Sequence, residues 1–201
     1  RVQPWAEGAG IVIPKGHRLV IQTHVPPMTE AIPFTVSLGV WFVTGRMDVL
    51  AGEKVSQMMD LKIPPGEPDY IKRETTPIHA EATIYGYTVH MHLRGESSKI
   101  VFHYPDGTSE TGFHLPRYDF DWQRIYWLTE PKVVPAGTVV EFIAEWDNSP
   151  DNPLNPDPTA EVIWGAKTSD EMYGGHVYYS IARKKPVFVE NGRRVSGDNS
   201  D

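Results

Sequence analysis

The sequence predicts an all-β fold, an antiparallel β-sandwich, on three observations. Short stretches rich in Val, Ile, Tyr and Phe recur along the chain. Prolines (18) and glycines (17) are scattered between them as turn formers. No segment carries a sustained helical period of apolar residues. With 201 residues, 40% of them hydrophobic, the chain is long enough for one substantial core or two small ones.

The expected strands follow in order. Ile11-Val12-Ile13 runs into the turn Pro14-Lys15-Gly16, and a second strand covers 18–25. A third covers 34–43, and residues 60–78 read as a proline-stiffened connection through Pro64, Pro65 and Pro68. Strands follow at 82–92 and at 99–104, the latter ended by the tight-turn pair Asp106-Gly107. Further strands are expected at 125–129, 138–146 and 175–181. Val134-Pro135-Ala136-Gly137 echoes Ile13-Pro14-Lys15-Gly16, as equivalent strand entries in two related sandwiches would. Residues 147–159 hold four prolines and three asparagines and read as a long loop, ordered or partly mobile. The tail from about Asn191 is expected to be disordered.

Bulk properties exclude several functions. The formal net charge is −7, from 26 acids and 19 bases, and the bases form no stripe with aromatics, so nucleic acid is not an expected partner. Arg183-Lys184-Lys185 reads as a solvated strand end. There is no cysteine, which removes disulfides, thiolate ligands, c-type haem attachment and cysteine nucleophiles from this chain. No apolar run is long enough for a helical membrane span, and the opening residues are not expected to act as a signal peptide. The start at Arg1 is expected of a processed protein or a piece of a longer one. Neither a phosphate-binding glycine loop nor a local Ser/His/Asp signature occurs.

The most informative segment is Val89-His90-Met91-His92-Leu93-Arg94-Gly95, together with Ser169-Asp170-Glu171-Met172. Side chains alternate along a strand, so His90 and His92 would point the same way and could share one metal. A thioether from Met172 would complete a His2Met set, which suits copper, Cu(I) above all, better than zinc, magnesium or calcium. Two histidines on a solvated strand face and a gap-filling core methionine are the plain alternatives. His176 lies four residues after Met172, an even offset on a regular strand, as an additional ligand, a support for one, or a polar surface residue. Asp170 and Glu171 would act as general acid or base, or would fix the ligand loop by accepting backbone N–H groups. His79, His103 and His114 read as structural or exposed and His17 as exposed, while Trp122, Tyr126 and Trp127 read as core rather than electron relay.

These blocks resemble the copper type II, ascorbate-dependent monooxygenases, the family of peptidylglycine α-hydroxylating and dopamine β-monooxygenases. The carrying residues are His90-Met91-His92-Leu93-Arg94-Gly95 and Trp164 to Met172, in the same order and at similar spacing. Leu115 to Gln123 and Asp147 to Pro158 are similar to stretches of bacterial envelope members. The resemblance covers about residues 10–182. It implies a jelly-roll-like sandwich, with residues 1–45 the last strands of a preceding sandwich domain, 46–185 the C-terminal copper domain and 186–201 a flexible tail. It also implies His90, His92 and Met172 as ligands of the oxygen-activating copper, and a periplasmic or extracellular location.

The family's other copper uses an adjacent His-His pair and a later histidine on a strand. His24 in Ile21-Gln22-Thr23-His24 matches that later histidine, but the 201 residues contain no His-His pair. An upstream domain or a separate chain would then complete the second site, unless it has been lost. Peptide-amidating members carry an arginine, an asparagine and a tyrosine where Thr88, Gly174 and His176 stand here, so the grip on a peptide carboxylate is missing. The expectation is a copper-dependent monooxygenase domain hydroxylating a C–H bond of an unspecified small-molecule or peptide-like substrate. The alternative is a non-catalytic copper-binding or structural module of a larger envelope or redox assembly.

Overall fold

The computed structural model describes residues 8–21, 23, 25 and 29–196. These contain twelve strands and no helix. In chain order they are β1 (Ala9–Gly10), β2 (Gly45–Ser56), β3 (Lys62–Ile63), β4 (Tyr70–Pro77), β5 (Ala82–His90) and β6 (Gly95–His103). Then come β7 (Ser109–Leu115), β8 (Tyr126–Val134), β9 (Val139–Trp146), β10 (Val162–Ile163), β11 (Gly174–Glu190) and β12 (Arg193–Ser196).

Two sheets face each other. One has the order β1-β2-β11-β5-β8, with β12 paired to β11, and the other has the order β4-β9-β6-β7. A short β10-β3 ladder closes one end. All pairings are antiparallel except the two-residue β1-β2 contact. The predicted antiparallel β-sandwich is the observed fold.

Strand β9 shows why the layers pack. Val140, Phe142, Ala144 and Trp146 are fully buried while the residues between them are half-buried, the period-two pattern of a strand with one face on a core. From the facing sheet come Ile84, Val89 and Val177, and Met91 joins them beyond the end of β5, so one apolar cluster spans both layers. Edge strand β4 instead carries Lys72, Arg73 and Glu74, charged side chains that suit the rim of a sheet.

Several expected elements differ. Residues 11–13, 18–21 and 34–43 form no strand, and Val20 (88% exposed), Trp41 (77%) and Phe42 (69%) stand in solvent. Strand propensity measures fit to a pleated, half-buried surface, and no ladder accepts this segment. The stiff connection at 60–78 contains β3 and β4, because Tyr70–Pro77 pairs with β9 along its whole length. The tail expected from residue 186 is strand as far as Ser196: β11 continues to Glu190 and β12 folds back on it. The two echoing turns do share local geometry. His17 N–H reaches Pro14 C=O and Thr138 N–H reaches Pro135 C=O, with Gly16 and Gly137 each at φ +87°. Only the second leads into a strand.

Candidate metal centre

Strand β5 ends at His90, so His92 sits beyond it in a turn closed by Gly95 N–H on the His92 carbonyl. The two imidazoles still meet, with ring centres 5.1 Å apart at 79°. Their proximity comes from a bend at the strand end rather than from strand alternation. Gly95 permits the bend: a Cβ there would lie 2.6 Å from Met91 Cβ and 2.9 Å from the Tyr118 ring. Tyr118 fastens the same bend, its hydroxyl accepting Met91 N–H at 3.0 Å and donating to Met91 C=O at 2.7 Å. Burial raises the Tyr118 pKa, which keeps that donor protonated.

Both rings are oriented through Nδ1. His90 Nδ1 lies 2.6 Å from Gln123 Oε1, and Gln123 Nε2 donates to Phe120 C=O at 2.7 Å. A carbonyl only accepts, so the amide is fixed with its oxygen toward His90. His92 Nδ1 lies 3.1 Å from the Asp170 carbonyl, another pure acceptor. In both neutral rings the proton therefore sits on Nδ1 and the lone pair on Nε2. The ring of His92 is buried, 2% exposed, with Phe120 edge-on to it.

Met172 arrives on the segment between β10 and β11. The loop 164–171 is closed by a Trp164–Glu171 bridge, by Gly165 N–H on Glu171 C=O, and by Asp170 N–H on Lys167 C=O. The Glu171 carboxylate, fully buried, ties this loop to the bend. It accepts N–H from His92 (2.9 Å), Arg94 (2.7 Å) and Met172 (3.2 Å), and from Trp146 Nε1 (3.2 Å). Burial pushes its pKa up to about 7, against those backbone N–H groups and the Arg94 charge. Of the two roles open to Glu171, the geometry is that of a tie between ligand segments. Asp170 turns its carboxylate back to Lys167 N–H, so its carbonyl rather than its side chain meets His92.

Beneath the bend, Arg94 is 2% exposed, with Nε on Asn148 Oδ1 at 2.8 Å and a guanidinium nitrogen on Ser169 C=O at 2.9 Å. Asn148, also buried, donates to Pro64 C=O and Ala160 C=O, and Asn155 donates to its oxygen. The proline- and asparagine-rich loop is thus ordered by side-chain amides. Asn148 and Gln123 were not singled out from the sequence. In the sequence they stand only inside the longer stretches Leu115 to Gln123 and Asp147 to Pro158.

His90 and Met172 line one water-accessible cleft of ≈ 470 Å³, and His176 lines it too. Although β11 begins only at Gly174, Met172 and His176 share that opening. Among the described residues no three of His, Cys, Asp and Glu converge as metal ligands, so His176 does not join His90 and His92 in one set. What the site offers is two oriented imidazoles and a nearby thioether, a donor set that fits a soft, redox-active ion such as copper. His24 lies outside the described residues. His103 is engaged elsewhere, with Glu141 and Ser109.

No protein-family model and no curated protein matches the chain. Among solved structures, one described as the structure of infectious bursal disease virus Gt strain is similar over 65% of this chain, at 11% identity and a TM-score of 0.26. This chain spans 33% of that one.

Proposed function

We propose that His90, His92 and Met172 hold copper and that the chain is a copper-dependent monooxygenase domain acting on a substrate C–H bond. The observation that carries this reading is the paired Nδ1 anchoring of His90 and His92 beside a cleft that Met172 shares. Copper bound there would supply one-electron redox chemistry toward dioxygen. The chain's own residues hold the geometry. Gln123 and the Asp170 carbonyl aim the rings, Glu171 locks the His92 and Met172 backbones together, and the cleft gives a substrate access to the site. Periplasmic or extracellular location belongs to the same proposal.

A second reading, a copper-binding module without turnover, is favoured by one observation: the sequence has no adjacent histidine pair for a second copper. Oxygen consumption by the copper-loaded chain with ascorbate separates the two. Consumption that depends on His90 and His92 supports the monooxygenase reading. Stoichiometric copper binding with no consumption above free copper, with or without added candidate substrates, supports the module.

A further inference from the structure

The copper reading leaves one histidine network unused. His103 on β6 stands between Ser109 on β7 and Glu141 on β9, with Nδ1 2.8 Å from Ser109 Oγ and Nε2 2.9 Å from Glu141 Oε2. Arg73 on β4 donates to the other Glu141 oxygen at 3.1 Å. Glu141 alternates along β9 with the buried Val140 and Phe142, so the group lies on the outer face of its sheet. Four strands give one side chain each, which is why no local sequence signature announces it.

The proton positions follow from the acceptors. A carboxylate paired with Arg73 only accepts, so in the neutral ring of His103 the proton sits on Nε2 and the lone pair on Nδ1. The Ser109 hydroxyl therefore donates to Nδ1. A hydroxyl bonded to an imidazole whose far nitrogen is fixed by a carboxylate is the arrangement that activates a serine nucleophile.

The backbone adds a further group. His103 and Ser109 are register partners, and the neighbouring Tyr104 N–H bonds Thr108 C=O at 2.8 Å. Bonded and non-bonded pairs alternate along an antiparallel ladder, so the His103–Ser109 pair is non-bonded. Its side chains come close together, and the Ser109 N–H points away from β6. Because β7 is the last strand of its sheet, that N–H faces an open edge. A carbonyl carbon placed at Ser109 Oγ would have this donor beside its oxygen, where charge develops on attack. Ser109 is exposed and the His103 side chain is 42% exposed, so a small molecule can reach both. An open sheet edge gives little grip on a large substrate, which points to small acyl donors with a good leaving group.

We infer that Ser109 is a nucleophile toward activated carboxylic esters, with His103 as its general base and Glu141 as the positioning residue. This acyl-transfer activity is separate from the copper reading and needs no metal. Ser109 Oγ bonds to the acyl carbon as the ester C–O bond breaks, and the hydroxyl proton passes to His103 Nδ1 and on to the departing oxygen. Water then adds to the acyl carbon with the same base, the bond to Ser109 Oγ breaks, the proton returns to that oxygen, and a carboxylic acid leaves.

The metal-free 201-residue protein with p-nitrophenyl acetate provides the test. Nitrophenolate should be released faster than in buffer, with the acetyl group found on Ser109 by mass spectrometry. A fluorophosphonate, which leaves a stable serine adduct as fluoride departs, should label Ser109 ahead of the other serines. Ser109→Ala should lose both reactions and melt with the parent, since the side chain is exposed. His103→Gln should slow labelling by about 100-fold, the usual worth of a general base. Glu141→Gln can present an amide N–H to Nε2, so the His103 15N shifts should show the Nδ1-protonated form gaining population and labelling should slow by at least about tenfold. Glu141→Asp keeps the carboxylate and should recover part of that rate. An unlabelled Ser109 in the folded parent, acetylation confined to lysines, or labelling as fast in His103→Gln as in the parent overturns the inference. The labelled position in the parent is read without any variant, so a variant that fails to fold leaves the inference open to refutation.

Discussion

The Glu171 carboxylate accepts the backbone N–H of His92 at 2.9 Å across 79 residues of sequence. The same oxygen accepts Met172 N–H, so one buried side chain ties together the two segments that carry the candidate ligands. Coupling of this kind lets ligands from distant parts of a chain hold a fixed geometry before any metal arrives.

Replacing Glu171 therefore tests stability and site together. Glu171→Ala leaves the N–H groups of His92, Arg94 and Met172 and the Trp146 indole without their shared acceptor. A loss of about 3–5 kcal/mol in urea unfolding is expected from a broken buried network of this size. A loss below about 1 kcal/mol would mean that water replaces the carboxylate at little cost.

Gln123 makes a more selective prediction. Gln123→Leu removes the acceptor from His90 Nδ1 at an exposed position, so folding should persist. Copper affinity should fall by about 10–100-fold, the usual effect of losing a ligand's supporting hydrogen bond. Gln123→Glu keeps an acceptor and should recover most of it. Equal affinities in the two variants would remove Gln123 from the account.

Asn148 anchors the 147–159 loop and the buried Arg94 guanidinium at once. Asn148→Ala should cost about 2–4 kcal/mol, because several buried partners lose their bonds together. Limited proteolysis should then cut within 147–159, whereas the parent chain resists there.

Glu141 gives the pH dependence. Burial raises its pKa, but hydrogen bonds from His103 and Arg73 and their charges outweigh this and hold it below the ordinary 4.5. A carboxylate with a folded pKa below its unfolded one contributes stability above the unfolded value and loses it as pH falls through the folded one. The melting-temperature gap between parent and Glu141→Gln should be open at about pH 6 and narrow as pH falls below the ordinary carboxylate range of about 4.5. A gap that does not change with pH would contradict this.

How legible all this was in the sequence depends on which interactions do the work. Strands β5, β6, β9 and the start of β11 were readable because their apolar residues meet a core, as Val140, Phe142, Ala144 and Trp146 do. Strands β2, β4 and β7 were not, because half-exposed or charged edge residues such as Lys72 and Glu74 carry little period-two signal. Residues 34–43 failed in the opposite sense, with strand composition but no partner ladder. At the site, the residue types of His90, His92 and Met172 could be read directly. The Gln123 amide on His90 and the Glu171 carboxylate on His92 N–H are long-range contacts, which no local pattern encodes.

A Cu(I) titration of the metal-free chain against a competing chelator decides whether His90, His92 and Met172 form a copper site. One equivalent should bind, with copper preferred over zinc, and binding should be lost in the His90→Ala/His92→Ala double variant and weakened in Met172→Leu. Copper binding unchanged in the double variant, or stoichiometric zinc binding with no copper preference, would contradict it.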